Sequence, residues 1–508
     1  MQDLLIALGN IFEPDSLFVL IIGTLAGMVI GSLPGLSSTM GVALVIPITF
    51  SMSPENSLIL LGAVYVSSVY GGSITAILLR TPGTDASIAT ALDGYPLAQQ
   101  GRGAEAVGMA TIASLIGGIF STILLIAVAP PLSRIALSFG PVDYAVLAVF
   151  GMVTIIGVVS SNPIKGAVSA AAGLLLATIG MDNFTATQRF TFGESSLFDG
   201  VPLLPALIGL FSISQAIALS VPKSASILSE TADISHGRPY PSVELIRKCL
   251  RTIMKSSIIG SAIGVLPGAG TSIAAFISYN EARRSSKTPE NFGKGEIEGV
   301  AASEAANNAV TGGTLVPTLT LGIPGNAVTA VFVGGLTIHG MAPGPRLFTD
   351  FADVTYTLIL SLFLANLMFA IIGLGVGRYL VYVTRIPGSV LGPLVLAFSF
   401  IGTYALRNNL FDVGLALCFG ILGYFMERRN YPAAPLVIAL ILGPIFEVNF
   451  RRAMQISSWD LTIFFDRPLT IFLMVLVVAA VALPVWQHRK AKRAIAESIG
   501  NESATEKS

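Results

Sequence analysis

The amino-acid sequence predicts an all-α polytopic membrane protein made of two inverted repeats, each with a re-entrant helical hairpin and a discontinuous helix, with about 11 crossings in all. Three observations predict it. Of the 508 residues, 53% are hydrophobic and only 11% charged, with mean hydropathy +0.77, whereas soluble domains carry roughly a quarter charged residues. Apolar stretches long enough to cross a hydrocarbon core of about 30 Å recur along the chain, and helices satisfy their own backbone polar groups in lipid. Finally, a pair of glycine- and proline-interrupted motifs occurs twice in the same order. The composition excludes a soluble enzyme. Zero formal net charge without a long basic run removes the electrostatic footprint of a nucleic-acid binder, so the lipid bilayer is the expected surrounding and no nucleic acid is an expected partner.

The amino terminus, MQDLLIALGNIFEPDSLF, carries Asp3, Glu13 and Asp15 and no basic residue. It lacks the positive n-region of a signal peptide and is expected to be retained. The first membrane repeat covers 1–221. Its hairpin, near 17–50, contains GSLPGLSSTMGVALVIPITF from Gly31, and its discontinuous helix, near 58–100, contains GGSITAILLRTPGTDASIATA from Gly71. Crossings follow near 106–130, 143–160, 164–180 and 202–221, with acidic MDNFTATQRFTFGESSLFDG outside. Residues 222–255 read as a cytoplasmic linker rich in Lys and Arg. The second repeat, 256–487, opens with a hairpin over 256–279 containing GVLPGAGTSIAAFISYN from Gly264. A discontinuous helix near 309–341 follows, containing GGTLVPTLTLGIPGNAVTAVF from Gly312. Apolar segments near 355–377, 389–404, 411–426, 432–446 and 468–486 put TRIPG and MERRN inside. Arg407 and the loop with Arg451 and Arg452 then fall outside, against the positive-inside rule. Residues 488–508 form a basic, then polar, cytoplasmic tail without apolar periodicity, expected to be disordered.

The hairpins follow from charge and length together. Residues 256–279 are flanked on both ends by Lys- and Arg-rich segments, and a stretch whose ends lie on one side does not span. The break leaves about eleven apolar positions on each side, half of the roughly twenty a spanning helix needs. The break at Pro267, Gly268, Ala269 and Gly270 is therefore read as a turn at membrane depth, which is tolerated only under protein cover or against a cavity. A proline-kinked spanning helix is the alternative. Counting the first discontinuous helix itself, five crossings lie between the two hairpins, an odd number, which inverts the second half. The tip around Pro34 then enters from outside and the tip around Pro267 from the cytoplasm.

Two tips meeting near the midplane would enclose one site. After each Pro-Gly turn a helix restarts with N-cap residue types: Ser37, Ser38 and Thr39 after Pro34 and Gly35; Thr84 after Gly83; Thr271 and Ser272 after Pro267, Gly268 and Gly270; Asn326 after Gly325. Restarted helix N-termini favour a carboxylate, and broken-helix carbonyls with Asn, Ser or Thr oxygens hold Na⁺. These residues are the candidate substrate site; close packing of small residues is the competing reading. Asp85, Asn307 and Asn308 are the candidate ion-coupling residues. Asp85 directly follows a break and is a cation ligand or proton carrier, with Arg80 as its partner or as a snorkelling helix end. Asn307 and Asn308, in ASEAANNAVTGG, are ligands of an ion or of substrate, or a cap at a helix start.

No nucleotide-binding loop occurs, so an ion gradient is the expected energy source. His236, His339 and His488 belong to no metal motif, and Cys249 and Cys418 are too few and scattered for a metal site or disulfide framework. No cofactor beyond a coupling Na⁺ or H⁺ and no catalytic residue is expected. A re-entrant-loop channel, or an anion exchanger without a binding protein, remains the alternative.

The stretches GSLPGLSSTMGVALVIPITF, GVLPGAGTSIAAFISYNEARR, LRTPGTDASIATALDGYPLA and LTLGIPGNAVTAVFVGGLTIHGMAPGP resemble the large membrane subunit of the bacterial tripartite tricarboxylate transporters, the TctA family, over nearly the whole chain. The resemblance implies an inner-membrane secondary transporter that takes up citrate or a related carboxylate by Na⁺ or H⁺ symport. It also implies two partners, a small four-helix membrane subunit and an extracytoplasmic solute-binding protein. The amino terminus would then be periplasmic and the carboxyl terminus cytoplasmic.

Overall fold

A computed structural model describes residues 2–159, 163–221, 240–268 and 270–482. Ala269, residues 222–239 of the expected linker with His236, and the tail with His488 lie outside the described residues. The helices run in the order α1 (Gln2–Ile11), α2 (Pro14–Ser32), α3 (Ser38–Thr49), α4 (Pro54–Leu79), α5 (Ser87–Leu97), α6 (Gly103–Ala136), α7 (Pro141–Val159) and α8 (Pro163–Ala177). Next come a two-residue ribbon, Gly180–Met181 against Gln188–Arg189, then α9 (Leu203–Leu207) and α10 (Ser214–Ser220), joined through a π-helical turn. The second half holds α11 (Val243–Val265), α12 (Gly270–Ser285), α13 (Ile297–Leu321), α14 (Ala327–Ile338), α15 (Ala352–Val376), α16 (Gly388–Arg407), α17 (Leu410–Arg428) and α18 (Ala433–Ile456).

Among the described residues, eight helical stretches are long and apolar enough to cross a membrane, which makes this an all-α polytopic membrane protein. The sequence count of crossings differs because it includes α7, α8, α13–α14 and Pro468–Ala482, which are shorter or interrupted. One of the eight is α2, after which the chain turns back. Helix α11 begins at Val243, capped by Ser242, whose hydroxyl accepts from the Leu245 N–H at 3.2 Å. It therefore takes up part of the segment that the sequence assigns to a linker.

Glycine spacing sets how the two halves pack. Gly23, Gly27 and Gly31 recur one turn apart on α2 and let it lie directly on α4: a Cβ on Gly27 would sit 2.1 Å from Ser67 Oγ, and one on Gly31 2.1 Å from the Ser68 carbonyl oxygen. The rising register makes α2 and α4 parallel. Helix α3 returns beside them, with Ser57 Oγ donating to the Thr49 carbonyl at 3.0 Å and Ser16 Oγ to Asn56 Oδ1 at 2.8 Å, so both ends of the α2–α3 hairpin reach one level. Helices α11 and α13 repeat the arrangement: Gly260 lies on the Ala306 carbonyl and Gly264 on that of Val310. At the other end of that hairpin Thr252 bonds Glu298 and Lys255 pairs with Glu281, again bringing its two ends to one level.

Helices α4 and α13 form the centre. Nearly all of both is buried, and they cross antiparallel, because Tyr65 meets Thr314 while Val66 and Val69 meet Asn308 and Asn307.

The charges that break the positive-inside rule are neutralised locally. Arg407 forms a two-pronged pair with fully buried Asp412, at 2.5 and 2.7 Å. Arg451 lies inside α18 rather than in a loop, and reaches Asp182, in the loop between the two ribbon strands, at 2.5 Å, while Arg189 pairs with Glu447 at 2.6 Å. The Arg451 guanidinium, helped by the backbone N–H groups of Thr185 and Phe184, holds the Asp182 carboxyl well below the usual carboxylate range. A carboxyl lowered on folding contributes its stability above its unfolded pKa of about 3.9, and loses it only as pH falls towards the depressed folded value. Limited proteolysis of this loop is therefore expected to stay slow down to about pH 4. Arg451→Ala is expected to move the onset of cleavage to higher pH, and an unchanged onset would refute the anchor.

Candidate functional site

Both discontinuous helices end on a left-handed residue. In the second half it is Gly322 at φ 72°; in the first half Arg80 takes the same conformation at φ 56°, where a side chain is normally disfavoured. Neither chain then continues outward. Gly83 N–H donates back to the Gly72 carbonyl at 3.4 Å, and Thr84 packs against Gly72. Gly325 lies back against Thr314, its N–H on Thr318 Oγ1 at 3.2 Å. Each loop thus returns along the helix that produced it before α5 or α14 starts.

The hairpin tips dock onto these returning loops. Gly83 faces the Gly31 carbonyl at the first tip. There Ser37 caps α3 by accepting from the Met40 N–H at 3.2 Å, Gly35 turns the chain at φ 89°, and Pro34 is half-buried. Ser38 and Thr39 are buried, and Ser38 Oγ has no partner among the described residues. At the second tip Gly268 N–H donates to the Gly325 carbonyl at 2.7 Å. Pro267 and Gly268 are buried there, with Gly268 pressed on the backbone of Ile155 in α7. Gly270, Thr271 and Ser272 are half-buried at the start of α12.

The four restarts then pair across the halves. Ala86 and Ala89 at the start of α5 pack on Ala275 of α12, and α14 packs on α3. One pair therefore joins Thr84 to the Thr271–Ser272 end, and the other joins the Ser37–Thr39 end to Asn326. Asn326 is committed locally: its Oδ1 accepts from the Thr329 N–H at 2.9 Å in a capping box, and its Nδ2 donates to Tyr65 Oη at 3.1 Å. Each tip meets the returning loop of its own half, and the α4–α13 crossing lies between the two tips.

Asn307 and Asn308 occupy that crossing. Both are fully buried and donate through Nδ2 to the carbonyls of Val69 and Val66, at 3.4 and 3.2 Å, while both Oδ1 atoms have no partner among the described residues. Buried amide oxygens without donors suit a cation or a ligand hydroxyl. Asp85 and Arg80, in contrast, are exposed. Among the described residues no ion pair joins them, and the Arg80 guanidinium lies over the Tyr95 ring at 5.7 Å.

Sequence reasoning passed over Glu304, one turn from Asn307. It is fully buried, accepting from Thr90 Oγ1 at 2.5 Å and Ser114 Oγ at 3.0 Å. It also passed over Asp93, likewise fully buried, which accepts from Tyr279 Oη and from three backbone N–H groups of the segment before α13. The signal for Glu304 is present in the sequence, since no other Asp, Glu, Lys or Arg occurs in 299–345.

A family model described as "Tripartite tricarboxylate transporter TctA family" matches residues 17–438. The chain is 36% identical over 502 residues to an "Uncharacterized 52.8 kDa protein in TAR-I ttuC' 3'region" of Agrobacterium vitis, covering 97% of this chain and 98% of that protein. It is 40% identical over 234 residues to an "Uncharacterized protein in TAR-II ttuC' 3'region" of the same organism, covering 46% of this chain and 97% of that protein. No solved structure matches the chain. The paired helix restarts around a buried crossing thus occur in a membrane protein that, by the span of the match, belongs to the tripartite tricarboxylate transporter TctA family.

Proposed function

We propose that this chain is the membrane-embedded permease subunit of a binding-protein-dependent secondary transporter that imports a tricarboxylate or related carboxylate across the bacterial inner membrane, coupled to Na⁺ or H⁺. The carrying observation is the pairing of helix restarts across the halves, α5 with α12 and α3 with α14, beside the α4–α13 crossing. Helix N-termini present free N–H groups and positive dipole ends, the arrangement that favours carboxylate. Thr84, Thr271 and Ser272 on one side, and Ser37, Ser38 and Thr39 on the other, supply hydroxyl donors. The unpartnered oxygens of Asn307 and Asn308 supply acceptors for a substrate hydroxyl or a coupling cation. Family membership supports two partners, a small four-helix membrane subunit and an extracytoplasmic solute-binding protein.

We read the halves as inverted repeats, in keeping with the antiparallel crossing of α4 and α13, and the tips and returning loops as parts of one mobile unit. Single cysteines at Gly35 and Gly270, both with positive φ and side-chain space at the tips, are expected to react with impermeant reagents from opposite faces of oriented vesicles. Labelling of both from one face would reject the inverted reading.

The function is tested by uptake of labelled citrate, a dicarboxylate and an aromatic acid into vesicles holding this chain, the small subunit and the binding protein. Accumulation that requires the binding protein and an ion gradient is the expected result. Gradient-independent, saturation-free flux would favour a channel.

A further inference from the structure

We propose that Glu304 is a proton-carrying carboxyl of this transporter, loaded from one face and unloaded to the other, which deepens the secondary-transport reading and rests on it.

The geometry isolates the group. Glu304 is fully buried, and its hydrogen-bonding neighbours among the described residues are neutral: Thr90 Oγ1 on α5 at 2.5 Å and Ser114 Oγ on α6 at 3.0 Å. No ion pair reaches it among the described residues. A buried carboxyl without a counter-charge is rare unless it serves a transported charge. The 2.5 Å contact to Thr90 lies at the short end for O–H···O bonds and serves either state: the hydroxyl donates to a carboxylate or accepts from a carboxylic acid. Thr90 in turn shares a 3.0 Å bond with Ser303 Oγ, which reaches the carbonyls of Gly299 and Val300 at 3.0 and 3.1 Å. The row of hydroxyls therefore has room to reverse its donors when the carboxyl gains or loses a proton.

The surroundings contain no rival for the proton. From α4 the titratable group is Tyr70, bonded to Thr111 at 2.7 Å. From α5 it is Asp93, one turn beyond Thr90, already saturated by Tyr279 and three backbone N–H groups. Helix α6 has no charged residue between Glu105 and Arg134. Helix α11 packs on α13 through Gly260 and Gly264, and its last charge, Lys255, pairs with Glu281. On α13 itself the other acid, Glu298, bonds Thr252. The position also fits coupling, because Glu304 joins α5 and α6 of the first half to α13 of the second, one turn from the open amide oxygens at the crossing. The step is a simple protonation: the carboxylate takes one proton at one face and releases the same proton at the other.

The test reads the carboxyl directly and through transport. In infrared spectra of the purified full chain, a protonated-carboxyl band absent from Glu304→Gln is expected to vanish as pH rises. Its absence at every pH, or its removal by Na⁺ at constant pH, would overturn the assignment, the latter in favour of a metal-cation site. Thr90→Val removes the hydroxyl that bonds the carboxyl in either state, so the frequency of the protonated-carboxyl band is expected to shift. An unshifted band counts against the proposal. If Glu304→Gln does not fold, Glu304→Asp takes its place, with a shifted rather than absent band. In vesicles with the partner subunits, a gradient of one pH unit drives about tenfold accumulation per proton, and Glu304→Gln is expected to lose that tenfold together with the pH dependence of citrate exchange. Retention of both would overturn the proposal. Wild-type vesicles that neither accumulate nor exchange any tested carboxylate would reject the transport reading, while the infrared band is judged on its own.

Discussion

Replacing Gly83 with alanine is expected to separate the first returning loop from the hairpin tip and to reduce uptake more than any other single methyl in the tips. The added Cβ would lie 1.9 Å from the Gly31 carbonyl oxygen and 2.9 Å from Gly72 Cα, and both neighbours are backbone that no rotamer change moves. Overpacking of this kind costs roughly 1–3 kcal/mol or more. Here the strain falls on the junction that positions Thr84 and the start of α5, so a transport loss of about tenfold or more is expected for each 1.4 kcal/mol that reaches the substrate-bound state. Gly325→Ala is expected to be milder because the contacts of its added Cβ, with Thr314 Cβ at 2.8 Å and with the Thr314 Cα and carbonyl oxygen at 2.9 Å, are all longer than the 1.9 Å approach at Gly83. Thermal unfolding and uptake measured on the same purified variants check both. Wild-type uptake by Gly83→Ala would mean that the loop and the tip need not touch.

The contrast shows what the sequence exposed and what it withheld. Proline and glycine in an apolar run are strong punctuation, so the breaks at Pro34–Gly35, Pro82–Gly83, Pro267–Gly268 and Pro324–Gly325, each falling between two helices, are legible by inspection. Helix identity and polytopic membrane character follow from hydropathy. The direction taken after each interruption is not legible: Gly83 returns to Gly72, and Gly325 to Thr314, because glycine and threonine surfaces on neighbouring helices leave a slot, and such a slot exists only once α2 lies on α4 and α11 on α13. The same limit applies to charge. Asp85 stands out in the sequence because it follows the Pro82–Gly83 break, yet it is exposed, while Glu304 sits among Ala, Ser and Asn in a helix whose burial depends on α4, α5 and α6. Arg407 and Arg451 read as violations of loop charge until their partners Asp412 and Asp182 are seen.

Asp93→Ala is expected to destabilise the protein by roughly 3–5 kcal/mol, because its fully buried carboxylate ties the two halves together and removal loses four hydrogen bonds to a charged acceptor at once, one from the buried Tyr279 hydroxyl and three from backbone N–H groups. One oxygen accepts from the N–H groups of Gly293, Gly295 and Glu296 at 2.8, 2.9 and 2.9 Å, and the other accepts from Tyr279 Oη at 2.8 Å. These donors lie in α12 and at the entry to α13, whereas Asp93 belongs to α5. Glu296 occupies the N-cap of α13 without a side-chain capping bond, so a residue from the other half provides the anion that a helix N-terminus favours. Gly299 is pressed on the same carboxylate, where a Cβ would lie 2.3 Å from Asp93 Oδ2, and Gln100 Nε2 adds a bond to the Lys294 carbonyl at 2.8 Å. Asp93→Asn keeps one acceptor oxygen and loses the charge, so a smaller loss, roughly 1–3 kcal/mol, is expected. The lock has a mechanical consequence. Together with Tyr65–Thr314, Val66–Asn308 and Val69–Asn307 it makes α4, α5, α12 and α13 one body, so any transport motion should carry these helices together rather than slide one half past the other. Denaturation of the detergent-solubilised variants, with the order wild type, Asp93→Asn, Asp93→Ala, measures the first claim. A disulfide between cysteines placed at Ala89 and Ala275, which should leave uptake intact if α5 and α12 move together and block it if they slide, decides the second.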